Sequence, residues 1–263
     1  MAHYLVKAKM VGGKINELRK KISSGYISSL KPFGRALEYS LVNAGYSFDG
    51  YVMWEEEDYC SPPLATERQA VLDHYFIDLS AERVREGMGW RMIMHYPNFW
   101  LLYEGLPRRE GERPLTRREM PHQQISQNPS AEVYNKLADL LFSIPEVQEE
   151  ASLISVPGAR ALWLSSEKVN PSPDSFMVER EFAHLHPPYD GSMHLMAPPN
   201  WVDEILGKGW GERHPLAGHA IPRNAVMVYA PRNEHEVKIV HNIVLLSYWR
   251  AKGERIPSPR SIG

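Results

Sequence analysis

Residues 180–197 read Arg-Glu-Phe-Ala-His-Leu-His-Pro-Pro-Tyr-Asp-Gly-Ser-Met-His-Leu-Met-Ala. Two apolar-rich runs flank Pro187-Pro188-Tyr189-Asp190-Gly191, a cluster of turn formers. The segment reads as two antiparallel strands, 176–186 and 192–197. Residues two apart on a strand share a face. His184 and His186 therefore point together, and the returning strand brings His194 within reach. Glu181 is expected on the opposite face unless a bulge intervenes. Three imidazoles on one hairpin face suit a divalent metal site, a general base, or both.

Working outward, residues 151–156 and 159–165 read as a second hairpin across Pro157-Gly158, after a helix at 130–144. Downstream, Asn200 caps a short helix that Gly209 stops. A strand at 225–230 leads into a last helix at 233–248. Its buried face carries Val237, Val240, Val244 and Tyr248, and Glu236 is a capping-box partner for Asn233. These elements make an α+β domain with an antiparallel sheet over 104–250. The polar tail 251–263 is expected to fray.

The first hundred residues read differently. Strands at 3–9, 36–42, 51–57 and 90–96 alternate with helices around Ile15, Leu18 and Ile22 and at 66–75. The order βαββαβ predicts a ferredoxin-like α+β domain over 1–103, with two helices on one face of a four-stranded antiparallel sheet. Its open face is expected to be covered by a second copy in a homodimer or by an inter-domain contact. The polar, Arg- and Pro-rich stretch 104–129 suits a boundary loop.

Composition narrows the function classes. The 263 residues carry 30 Lys+Arg against 32 Asp+Glu, a net charge of −2, which disfavours a general nucleic-acid binder. The single Cys60 permits no intramolecular disulfide and no cysteine-rich metal site, and fits a cytoplasmic compartment. Apolar runs fall short of the ~18–20 residues that span a membrane, and no signal-peptide core precedes residue 10. Hydrolase, P-loop and dinucleotide-binding glycine motifs are absent. The acidic run 55–58 reads as a solvated strand end.

Seven of the eleven histidines fall between residues 184 and 241. Besides the hairpin, the loop 208–218 presents Trp210, Arg213 and His214 between glycines. Arg109 and Arg113 can clamp a carboxylate, enol or phenolate oxygen. Glu234 and Glu236 are explained by the dipole of the last helix, while Arg232 remains a candidate beside its cap.

Three blocks carry a resemblance. They are Arg180-Glu181 with Ala183-His184, His186 and His194-Leu195; Lys208-Gly-Trp-Gly with Arg213-His-Pro-Leu-Ala-Gly; and Tyr229-Ala-Pro-Arg-Asn-Glu. Weaker agreement covers Leu106-Pro107, Arg109 to Gly111, Arg113-Pro114, Gln124 and Gln127. Over about 104–250 the chain resembles the luciferase-like domain family, which includes the luciferases of bioluminescent fungi. The fungal members begin with a hydrophobic anchoring segment, where this chain has its α+β domain.

The resemblance implies an oxygenase without flavin, haem or nicotinamide, joining O2 to a small enolisable substrate of pyrone or phenol type. Such chemistry needs a base that titrates near neutral pH, donors for a developing anion and a wall against water. His184, His186, His194 and His214 are the expected catalytic residues. Arg109, Arg113, Arg180, Lys208, Trp210, Arg213 and Arg232 are the expected substrate-binding set. No cofactor is expected. A divalent metal on His184, His186 and His194 stays open as an alternative, as does a non-catalytic small-molecule-binding and dimerisation module.

Overall fold

The computed structural model describes residues 2–165 and 171–262. The chain forms two compact units, one of Met1–Glu104 with Arg260–Gly263 and one of Gly105–Pro259.

In the first unit, β1 (Ala2–Met10) leads into α1 (Ile15–Ser23), α2 (Tyr26–Ser29) and α3 (Gly34–Val42). The short β2 (Gly45–Tyr46) and β3 (Val52–Asp58) follow. Next come α4 (Ala65–Glu67), a π turn Arg68–Leu72, α5 (Asp73–Tyr75) and β4 (Phe76–Val84). The unit ends with α6 (Met88–Ile93) and α7 (Phe99–Glu104). The sheet runs β2-β3-β1-β4 with antiparallel neighbours. Val6, Ala8, Val52, Trp54 and Phe76 on one sheet face pack with Leu18, Ile22, Leu37, Leu41 and Val71 from the helices.

The βαββαβ order is present, but two of its strands come from other residues than expected. Residues 36–42 are helical, because Leu37 and Leu41 lie one turn apart and are both buried. Residues 90–96 are not a strand either. Trp90 and Ile93 belong to α6 and pack with Leu5 and Met53 on the second sheet face. The fourth strand is 76–84, which has little alternation because most of its side chains are exposed at a sheet edge. The run 55–58 is not a solvated strand end: Glu55, Glu56 and Asp58 are buried. Glu55 accepts the N–H groups of Gly87 and Trp90, and Asp58 those of Cys60 and Leu64.

The second unit opens with β5 (Thr116–Arg117) and β6 (Gln123–Gln124), then α8 (Ala131–Phe142). Strands β7 (Val147–Ala151), β8 (Arg160–Leu164), β9 (Glu181–Leu185) and β10 (Met193–Met196) precede α9 (Pro199–Gly207). Strands β11 (Gly211–Arg213) and β12 (Ala225–Val228) and helix α10 (Glu234–Ala251) complete it. The six-stranded antiparallel sheet runs β11-β12-β10-β9-β8-β7. Helix α10 packs against β9 and β10. Its N-cap is Asn233, as expected, whose side chain accepts the N–H of Glu236. The Glu236 carboxylate reaches the Arg232 N–H instead of closing a capping box.

Four details depart from expectation here. The first hairpin strand lies at 147–151, not 151–156. Asn200 sits inside α9 rather than capping it, and its amide donates to the Ile256 carbonyl. That bond, with Trp201 Nε1–H donating to Pro257 O and Ile256 buried, anchors the tail expected to fray. The segment read as a structureless loop contains β11. There Gly211 is required, because a Cβ would stand 2.1 Å from Met227 O. Among the described residues no helix is long and apolar enough to cross a membrane.

Candidate active site

Strand register builds the site. Glu212 on β11 pairs with Met227 on β12, Met227 with His194 on β10, and His194 with His184 on β9. Directly opposed residues project from the same face, so Glu212, His194 and His184 form one row. His186 lies two residues on from His184, on that face. A bulge between β8 and β9, where Trp163 rather than its neighbour pairs with Glu181, leaves Phe182 as the extra residue. Glu181 is thereby turned onto the histidine side, with Oε1 2.7 Å from His184 Nδ1.

Glu181, His184, His194, His122 and Glu212 form one hydrogen-bonded chain, with the His186–Asp190 pair beside it. His184 Nε2 is 3.0 Å from His194 Nδ1, and His194 Nε2 is 3.0 Å from His122 Nδ1. His122 Nε2 is 2.7 Å from Glu212 Oε1. His186 Nδ1 is 2.7 Å from Asp190 Oδ2. A carboxylate only accepts, so His184 and His186 carry their protons on Nδ1 and His122 carries its own on Nε2. His214 Nδ1 accepts the Leu216 N–H, which places the proton of the neutral ring on Nε2. The carboxylates are themselves held: Glu181 by Ser152 Oγ–H and the Leu153 N–H, Asp190 by the Ser192 N–H, and Glu212 by Arg113.

All five imidazoles and all three carboxylates are buried. Burial lowers the His184 pKa, and the hydrogen bond to Glu181 only partly offsets it. Burial, then the neighbouring imidazoles, push His194 well below the usual value, and the same causes bring His214 to about 4. Burial alone would raise Glu212, but the His122 hydrogen bond and the Arg113 charge contribute to bringing it to about 2. The rings open onto a cavity of about 700 Å³ lined by His122, His184, His186, His194 and His214. Met120, Pro121, Ile154, Val156, Met177 and Leu216 give it apolar walls.

The four expected catalytic histidines are thus brought together, while the expected substrate-binding set lies elsewhere than in the cavity lining. Arg113 pairs with Glu212 and donates to Tyr229 Oη behind the row. Arg109 is buried over the Tyr229 ring, 3.7 Å from Glu236. Arg232 grips Glu236 and the Glu110 carbonyl, and Arg180 donates to the Leu164 carbonyl. Trp210 is buried with Nε1–H donating to Pro107 O, and the Lys208 carbonyl accepts the Arg109 N–H. Arg213 lies at the surface beside Asp203.

Sequence reasoning does not single out His122, Ser152, Asp190, Ser192 or Glu212 as site residues. His122 stands in an irregular stretch without periodicity. Asp190 and Ser192 look like ordinary turn residues, and only their bonds to His186 mark them.

Residues 179–247 match the family model described as the Luciferase domain. The match includes Glu181, His184, His186, His194, Glu212 and His214, whereas His122 and Ser152 lie outside it. The chain is 32% identical over 161 residues to a luciferase of Armillaria mellea, and 36% identical over 157 residues to one of Neonothopanus nambi. Each alignment covers 53% of this chain and 58% of the relative, so the chain spans little more than half the length of these relatives. No solved structure matches it significantly. Over this segment the chain resembles the luciferase-like family.

Proposed function

We propose that the chain is a luciferase-like oxygenase, without flavin, haem or nicotinamide, whose histidine-lined cavity takes a small enolisable compound of pyrone or phenol type and O2. The observation that carries this reading is a single one. Buried imidazoles and apolar walls enclose about 700 Å³ in the segment that matches the Luciferase domain.

The chemistry supports it. An enol must lose its proton before its carbon can reduce O2, and imidazole suits proton transfer near neutral pH. His214 has its Nδ1 bound to the Leu216 N–H, so it offers Nε2–H to a developing oxyanion and acts as a donor rather than a base. The apolar walls keep water from a peroxide.

Oxygen uptake by the purified chain with a panel of hydroxypyrones tests the proposal. Uptake above buffer is expected, falling about 10-fold or more in His214→Ala. No uptake with any member of the panel, or undiminished uptake in His214→Ala, overturns it.

A further inference from the structure

We infer that His184, His186 and His194 bind one divalent first-row transition ion, with Glu181, Asp190 and the His122–Glu212 pair as its outer shell. The argument is a count of protons. A neutral imidazole has one N–H and one lone pair. His184 spends its N–H on Glu181, so Nε2 presents a lone pair to His194. His122 spends its own on Glu212, so Nδ1 presents a lone pair to His194 from the other side. His194 lies 3.0 Å from both and has one N–H for the two. One contact is therefore lone pair against lone pair in a buried site, a conflict that a cation removes.

Placing the ion on the His184 side resolves every bond. His194 Nδ1 becomes a ligand, its Nε2–H donates to His122, and His122 donates on to Glu212. His186 has its Nδ1–H on Asp190 and is left with Nε2 free. One nitrogen from each of the three rings lies within 4.8 Å of the others. Two nitrogens each ~2.0–2.1 Å from one ion stand about 3.0–3.4 Å apart, which the 3.0 Å between His184 and His194 satisfies. Each ligand then has an orienting partner on its other nitrogen.

Charge points the same way. Glu181 and Asp190 are 0% exposed. Among the described residues, their side chains meet Ser152, Ser192, backbone N–H groups and the two histidines, with no Lys or Arg. Two buried negative charges match one divalent cation. The other trio within ligand distance, His122, His194 and His214, fits less well, because the ring nitrogen His214 has free carries its proton. All three ligands line the cavity, so a further coordination position faces it. Imidazole donors favour Zn2+, Fe2+, Ni2+ or Cu2+ over Mg2+ and Ca2+.

The test uses the full chain stripped with chelator and titrated with Zn2+ and with Co2+, read by elemental stoichiometry and Co2+ visible absorption. One ion per chain is expected. His186→Ala and His194→Ala should lose it, and His219→Ala should keep it. Asp190→Asn, which preserves shape, should weaken binding about 10–100-fold. No stoichiometric uptake by the wild type overturns the inference. So does wild-type affinity in both alanine variants, or 15N shifts showing His194 doubly protonated in a metal-free chain. The readout is binding, so it stands or falls separately from oxygen uptake.

Discussion

Glu56 in the first unit and Glu181 in the second are both fully buried carboxyls on strands of antiparallel sheets. Their surroundings differ. Glu181 accepts from Ser152, Leu153 and His184, so its charge is held by three donors. Neither oxygen of Glu56 is hydrogen-bonded, and the nearby Ser40 hydroxyl is spent on the Glu55 carbonyl. Burial pushes the Glu56 carboxyl up to about 8; the nearby Ser40 and Trp54 groups offset this only in part, and Glu67 and Asp58 add repulsion. Burial of an acid is therefore not by itself a mark of function. What sets Glu181 apart is that one of its donors, His184, is an imidazole that itself lines the cavity.

The comparison is broken most severely by removing its centre. His194→Ala interrupts the chain between His184 and His122, and oxygen uptake with a hydroxypyrone is expected to fall about 100-fold or more. Circular dichroism should report the first unit unchanged. An activity within a few-fold of wild type would show that the row of imidazoles is not the site.

The next largest effect is on the other side of the comparison. The unfolded chain ionises Glu56 near pH 4–5, whereas the folded chain holds the proton until about 8. The unfolded state binds fewer protons across that window, so stability falls as pH rises from about 4.5 to 8 and levels off above. Glu56→Gln should remove the fall and add roughly 4 kcal/mol at pH 8, with little change at pH 4. Urea unfolding at the two pH values measures this. An equal effect at both would mean that Glu56 is ionised in the fold.

Ser152→Ala is the mildest test. It takes one donor from Glu181 and leaves two, at a cost of roughly 1 kcal/mol in urea unfolding. A loss several times larger would place Ser152 in a wider network than its bond to Glu181.

The sequence made the central hairpin legible because prolines and Gly191 punctuate it and apolar residues flank both sides. Helices α1, α8 and α10 were legible for the same kind of reason, since Leu18, Leu137 and Val240 recur with their neighbours at helical spacing. Strand β4 was not, because an edge strand with exposed side chains carries no alternation. The helix at 36–42 was misread because seven residues are too few to separate a period of 3.6 from one of 2. In the site, the histidines of the 184–194 hairpin were visible as a cluster. The partners of Arg109, Arg113, Arg180 and Arg232 were not visible, since an arginine that clamps a ligand and one that pairs within the fold look alike in sequence.

By itself the sequence determined the local matters: the turn at 187–191, the shared face of His184 and His186, and the capped last helix. These follow from bonding within a few residues. The tertiary structure decided what lies across strands. It turned Glu181 to the histidine side through a bulge, brought His122 from a distant irregular stretch, and set Glu212 in the row by register. Each depends on partners far along the chain, and only when those partners meet do the protons of the imidazoles have to be shared.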